Sequence, residues 1–271
     1  VVLVVGGSSA RDFKTKYIST GAATVDKNTV PDMDCGEGFD RSTLDLLGRQ
    51  EQLIDAVAAT GKPLIVVYIE GRTLLMNNAS AKADALLTAW YPGEQGGSAI
   101  ASILFGDANP SGRLPVSIPR SVGQLPIYYS QGHARDYVES PSSPLYPYGF
   151  GLSYTTFDYS NLSIKPLSVR SDSVSVSLDV TNSGQRDGYE VVQLYLSDRV
   201  ASVSQPPLQL RGFRRVSLKA GETRRVTFTL GFDEMSLVGL DMRRVVEPGA
   251  FDVLVGASSE DIRLKGNFVV K

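Results

Sequence analysis

The chain is short of the residues that most directly announce chemistry. It has one cysteine, Cys35, one histidine, His133, and one tryptophan, Trp90, among 271 residues. A lone cysteine excludes an internal disulfide and any cysteine-rich metal site. A lone histidine leaves little for a histidine-based metal centre or a Ser-His-Asp triad. An excess of one charge is missing too, since 27 Lys and Arg stand against 29 Asp and Glu, for a formal net charge of −2. No single-sign field is available to hold nucleic acid or an anionic membrane. The longest apolar runs, such as Leu64 to Ile69, are strand-sized and far short of a membrane span.

What is present is 42% hydrophobic residues, enough for one large or two modest cores. The chain opens on "VVLVVGGSS", with no methionine, charged leader or small-residue cleavage site. This reads as a buried strand entered directly, and the expectation is one piece of a longer or cleaved polypeptide.

Two kinds of periodicity follow. Up to about residue 127, short apolar runs alternate with helical patterns. In "LGRQEQLIDAVAATGKP", Leu53, Ile54, Val57 and Ala58 share one helical face, and Gly61 with Pro63 ends the helix. "PLIVVYI" and "DALLTAW" read as strands, "GEQGGSAIASILFG" as a helix, and "GRLPVSIP" closes the region. Such alternation predicts a largely parallel sheet covered by helices, over residues 1–127. Residues 128–153 are rich in Tyr, Pro, Ser and Gly and read as a linker or crossing loop. From residue 154 to 271 the period becomes two. In "SVSVSLDVTNSG", Val174, Val176, Leu178 and Val180 alternate with Ser173, Ser175, Ser177 and Asp179. Roughly seven such strands predict an antiparallel β-sandwich. Arg214, Arg215, Arg224 and Arg225 are expected to face outward and keep its edges soluble.

The stretch "DCGEGFDR" over residues 34–41 concentrates charge between glycines. Glu37 is either a solvated loop residue or a group held there to move a proton. Gly36 and Gly38 would let its carboxyl approach another surface, and Asp40 and Arg41 would tune its pKa. "GGSSARDFKTK" offers Ser8, Ser9, Arg11 and Lys14 as ligand contacts, yet it matches no phosphate-cradling glycine motif. Trp90 and Tyr91 either stack on a sugar or pack in a core. Glu94 complements a helix dipole. His133 reads as solvated, and "NPSGRLP" and "PLYPYGFGLSYT" as turn and packing chemistry.

Together these stretches resemble the C-terminal half of glycoside hydrolase family 3, the β-glucosidase and β-xylosidase family. "GEGFDRSTLDLLGRQEQLIDAV", "KPLIVVYIEGRTL", "ALLTAWYPGEQGGSAIASILFGDANPSGRLPVSIPRSVGQLPIYY" and "PLYPYGFGLSYTTF" occur in the family's order and spacing. The tail from "LQLRGFRRVSLKAGETRRVTFTL" to "VEPGAFDVLVGASS" is similar to its fibronectin type III-like domain. The resemblance implies an α/β sandwich domain followed by that all-β domain, with the family's (β/α)8-type barrel absent from this chain. It implies retaining hydrolysis of β-linked glucosides, xylosides or oligosaccharides from a non-reducing end, without a cofactor or metal. Gly36-Glu37-Gly38-Phe39 matches the family's acid/base pattern, so Glu37 inherits that role. Ser9, Arg11, Phe39 and Arg41 are carried along as substrate contacts. The nucleophilic aspartate belongs to the barrel, as a domain or a partner chain, and nothing here matches its motif. The long stretch from Ser8 to Cys35 departs from many members. A secreted or periplasmic bacterial enzyme is implied, with the cytoplasm and self-association left open. The alternative is a non-catalytic carbohydrate-binding or structural module using Trp90, Tyr128, Tyr129, Tyr146 and Tyr148. A metal- or phosphate-dependent hydrolase lacks its motifs.

Overall fold

A computed structural model describes residues 1–9, 16–21, 23–24, 33–36, 39–132, 135–166 and 173–271. They form two compact units, one of residues 1–105 and 118–126, the other of residues 106–117 and 127–271.

In the first unit, β1 (Val2–Gly6) is followed by a two-residue pair, β2 (Lys16–Tyr17) and β3 (Ala23–Thr24). Then come α1 (Gln50–Ala58), β4 (Ile65–Ile69), α2 (Asn77–Lys82), β5 (Ala85–Thr88) and α3 (Gly96–Leu104). β1, β4 and β5 make a parallel sheet in that order, as alternating strand and helix patterns require. β4 is central, and Val66, Val67 and Tyr68 are fully buried. β1 lies at the edge and is covered on one face only, so the expectation of a buried strand holds on that face alone. Val5 is buried, but Val2 and Val4 are more than half exposed. The helices also depart in detail. α1 turns Ile54 inward and leaves Leu53 exposed. Glu94 precedes the N-cap Gln95 and stands outside the first turn of α3, which holds no acidic residue.

Polar side chains fix the ends of the sheet. Gln50 grips both backbone groups of Gly6, accepting from its N–H at 2.7 Å and donating to its carbonyl at 2.9 Å. Glu70, directly after β4, is 1% exposed. Its carboxylate accepts the Thr88 hydroxyl at 2.6 Å and the Leu74 N–H at 3.1 Å, tying β4 to the end of β5. Burial pushes the Glu70 carboxyl above its ordinary range, with a smaller push from Asp34, against the two hydrogen bonds.

The second unit contains β6 (Phe157–Pro166), β7 (Val174–Asn182), β8 (Gly188–Asp198), β9 (Gln209–Leu218) and β10 (Thr223–Leu230). A one-turn helix α4 (Phe232–Met235), the hairpin β11 (Leu237–Val238) and β12 (Arg244–Val245), then β13 (Gly249–Gly256) and β14 (Ile262–Val270) complete it. Two antiparallel sheets, β10-β7-β6 and β14-β13-β8-β9, form a sandwich. The alternation read in the sequence is the alternation of burial. Val174, Val176, Leu178 and Val180 enter the core with Val192, Leu194, Phe228, Val253 and Val255. Each such side chain contributes roughly 1.5–3 kcal/mol of apolar burial. The arginines stay outside: Arg224 pairs with Glu222 at 2.5 Å, Arg225 with Asp179 at 2.9 Å, and Arg215 lies over the Tyr189 ring. Exposed pairs of this kind are worth at most about 1 kcal/mol.

The segment 106–117 belongs to this unit although it lies far from the sandwich in sequence. Asn109 donates to the Asp187 carbonyl and accepts from Ser153 and from the Tyr154 N–H. Leu114 exchanges backbone hydrogen bonds with Gly149 and Phe150. Arg113 meets Glu190 of β8 at 3.0 Å, with side chains 8% and 3% exposed. Tyr129 stacks on Tyr148 and packs edge-on to Tyr195, while Gln193 donates to the Gly149 and Ala257 carbonyls.

Two stability measurements follow. Arg113→Met strands a buried carboxylate and is expected to cost about 3–5 kcal/mol in urea unfolding. Adding Glu190→Met should return much of that loss, and additive losses would show that the pair is not coupled. The second concerns Glu70, whose native form holds its proton more tightly than the unfolded chain does. Its contribution is full below the ordinary value of 4.5 and is lost as pH rises through the elevated native value. Glu70→Gln removes the titration, so the variant's stability should fall less than the parent's between about pH 4 and about pH 7. Parallel profiles would contradict this.

Candidate functional site

Ligands of parallel α/β sheets gather beyond the carboxyl ends of the strands. In the first unit these ends are continued by Gly7 to Ser9 after β1, Glu70 to Arg72 after β4, and Ala89 to Tyr91 after β5. Residues 33–36 run back across the end of β1, and the Asp34 N–H donates to the Ser8 carbonyl at 2.9 Å.

Asp34 organises this region. It is 3% exposed, and its Oδ2 lies 3.3 Å from the Arg41 guanidinium. Its Oδ1 is buried and has no hydrogen-bond partner among the described residues. A carboxylate removed from water needs a counter-charge, and Arg41 supplies it. Arg41 also donates to the Asp45 carbonyl at 2.5 Å. The space is created by Gly7, where a Cβ would stand 2.0 Å from both Asp34 oxygens.

A second contact set lies across the end of β4. Cys35 Sγ and the Tyr91 hydroxyl share a hydrogen bond at 2.7 Å. Gly71 permits it, since a Cβ there would meet the Tyr91 ring at 2.4 Å and Cys35 Sγ at 2.6 Å. Burial and the bond to Cys35 push the Tyr91 hydroxyl up to about 12, against a hydrogen bond with Ser9. Trp90 has φ of +51°, a left-handed conformation that costs a non-glycine residue on the order of 1–2 kcal/mol. Strain of this kind clusters at functional sites. Phe39 is buried, its N–H donates to the Gly36 carbonyl at 3.2 Å, and its carbonyl accepts from Arg72 Nη2 at 2.7 Å.

Of the residues singled out in the sequence, Arg11, Lys14, Glu37, Gly38 and His133 lie outside the described residues. Ser9, Phe39 and Arg41 are brought to the same strand ends. Ser9 is exposed and bonded to Tyr91, Phe39 is packed inward, and Arg41 is engaged by Asp34 and Asp45. Sequence reading assigned no role to Arg72, Glu70 or Cys35. The "YIEGR" stretch was the available signal, because two charged residues directly after an apolar strand sit at a carboxyl end. Among the described carboxyls here, Asp34 and Glu70 are enclosed and hydrogen-bonded or paired, whereas Asp40 is exposed. Among the described residues no group of three His, Cys, Asp or Glu is placed to hold a metal ion. No described helix is long and apolar enough to cross a membrane.

Comparison with known proteins identifies both domains. Residues 1–154 match the glycosyl hydrolase family 3 C-terminal domain, and residues 190–259 a fibronectin type III-like domain. A beta-xylosidase of Formosa agariphila is 46% identical over 238 residues, covering 85% of this chain and 33% of that protein. A periplasmic beta-glucosidase of Salmonella typhimurium is 41% identical, covering 86% of this chain and 32% of that protein. Among solved structures, a β-glucosidase from Erythrobacter marinus superposes with a TM-score of 0.86 at 41% identity, over 100% of this chain and 34% of its own. A Listeria innocua beta-glucosidase in complex with glucose gives 0.85 at 32% identity, over 99% and 36%. The chain thus spans about a third of the length of the relatives it matches. It belongs to glycosyl hydrolase family 3, through that family's C-terminal domain, and carries a fibronectin type III-like domain beside it.

Proposed function

We propose that this chain is the C-terminal portion of a retaining, exo-acting β-glycosidase of the β-glucosidase or β-xylosidase type. Its substrates are terminal β-D-glycosyl residues of glucosides, xylosides or oligosaccharides. Glu37 is the general acid/base, and the nucleophilic aspartate is supplied by a barrel domain outside this chain. The relative named as a periplasmic enzyme fits a secreted or periplasmic location.

The observation that carries the reading is the placement of residues 33–36 and 39–41 at the carboxyl ends of the parallel sheet, in a chain of this family. Both flanks of Glu37 are hydrogen-bonded there, through Asp34 to Ser8 and through Phe39 to Arg72. Retaining chemistry requires two carboxyls about 5–5.5 Å apart, one attacking carbon and one protonating the leaving oxygen. Asp34 is already committed to Arg41 and enclosed, which favours Glu37 as the proton donor. Of the rings offered for a sugar-binding module Tyr128 stays exposed, but three others are engaged. Tyr129 and Tyr148 stack on each other and Tyr146 stacks on Phe150, so these rings are spent in packing.

A general acid contributes about 10²–10⁴-fold, and mostly when the leaving group is poor. In the full-length enzyme, Glu37→Gln is therefore expected to lose activity heavily on alkyl glycosides while nearly sparing glycosylation from a dinitrophenyl glycoside. Deglycosylation should slow as well, and azide should relieve it by attacking without base assistance. Equal losses across a leaving-group series, without azide rescue, would move the role to another carboxyl. A chain of residues 1–271 alone is expected to leave aryl β-glycosides intact, because no glycosyl-enzyme can form without the nucleophile. Turnover by that chain would refute the division of the site.

A further inference from the structure

The residues flanking Glu37 are held by more contacts than a solvated loop needs, and the holders are two arginines and an aspartate. Asp34, three positions before Glu37, is fixed by its N–H to Ser8 and by its carboxylate to Arg41. Arg41, four positions after, is fixed in turn to the Asp45 carbonyl. The ion pair therefore joins the two sides of the loop directly. Arg72 enters from a different element, the end of β4, and donates to the carbonyl of Phe39, two residues beyond Glu37. Its Nε is buried with no hydrogen-bond partner, so its one described bond is the one to this loop. Arg72 is half-buried, and its planar fork brings that carbonyl a directed donor from a second element.

We infer that Asp34, Arg41 and Arg72 are positioning residues, which hold the backbone on both sides of Glu37 at the ends of β1 and β4. This gives Arg41 a role different from the sugar contact expected from the sequence, since its side chain is 11% exposed and its guanidinium already engaged on two sides. The assignment rests on the reading of Glu37 as acid/base. It adds that the residues on both sides of the proton donor are tied down by side chains of its own domain. A donor displaced by about 1 Å loses on the order of 10²-fold.

The test uses the full-length enzyme and a pair of substrates, one alkyl β-glycoside and one dinitrophenyl β-glycoside. Arg72→Met is expected to lower kcat on the alkyl glycoside by about 10²-fold, with KM and dinitrophenyl glycosylation each within about threefold. Arg72→Lys, which keeps a donor, should recover part of the loss. Placed on Glu37→Gln, Arg72→Met should cost nothing further, because it acts through a carboxyl already removed. Arg41→Met should show the same selectivity. Should it fail to fold, Arg72→Met carries the test, since it breaks no ion pair among the described residues. Equal losses on both substrates, a further loss on the Glu37→Gln background, or a raised KM at unchanged kcat would overturn the assignment. If Glu37→Gln itself shows no dependence on the leaving group, the acid/base reading falls and the positioning roles fall with it. If that dependence is intact and the arginine variants are unselective, only the positioning roles fall.

Discussion

A carboxylate withdrawn from water must be given a positive partner or a proton, and Asp34 is given Arg41. Much of the first unit's functional end follows from that requirement. Gly7 has to be glycine because the Asp34 carboxylate occupies the volume of its absent side chain. Residues 33–36 have to lie close over β1, where the Ser8 carbonyl takes the Asp34 N–H. Arg41 has to turn inward, which fixes where the chain goes before α1. One ion pair thus ties the two ends of a charged, glycine-rich stretch together.

The same electrostatic logic recurs in the second unit with a different outcome. Arg113 and Glu190 are enclosed as a pair, and what they fasten is the segment 106–117 against β8. Neither pair is strong evidence for stability in itself, since desolvation offsets much of the Coulomb attraction. What each supplies is specificity of placement. A chain that failed to seat Arg113 would leave Glu190 without its counter-charge under the sheet, so one arrangement is preferred over its near neighbours.

The fold was largely legible because its strongest signals are local. The period-two run from Val174 to Val180 reports its own burial, and "PLIVVYI" reports a strand enclosed on both faces. What was not legible depends on distant residues. α2 escaped because "NNASAK" has no apolar period and fully buries only Ala79. The exposure of Val2 and Val4 follows from one face of β1 being uncovered, a matter of tertiary packing that composition does not encode. At the candidate site, "DCGEGFDR" marked a stretch whose described residues lie at the carboxyl ends of the sheet, but nothing in it singled out Asp34 as the enclosed charge. Its enclosure depends on Gly7, Arg41 and the end of β4, and Arg72 reaches the loop from an element that follows it in sequence.

The segment 106–117 bears on how such a protein can be inherited or rebuilt. A fibronectin type III-like domain is usually pictured as a contiguous cassette, cut at its borders and joined elsewhere. Here the folded unit includes a stretch encoded upstream of residues 118–126, which belong to the other unit. A recombination breakpoint in the tyrosine-rich segment would deliver a sandwich bearing Glu190, Asp187 and Gly149 without Arg113, Asn109 and Leu114, their partners in the parent. A crossover before Gly106 keeps those partners together but parts buried Ile118 and the Arg120 carbonyl, which accepts from Asn77, from the rest of the first unit, so no single breakpoint separates the two units without breaking contacts in one of them.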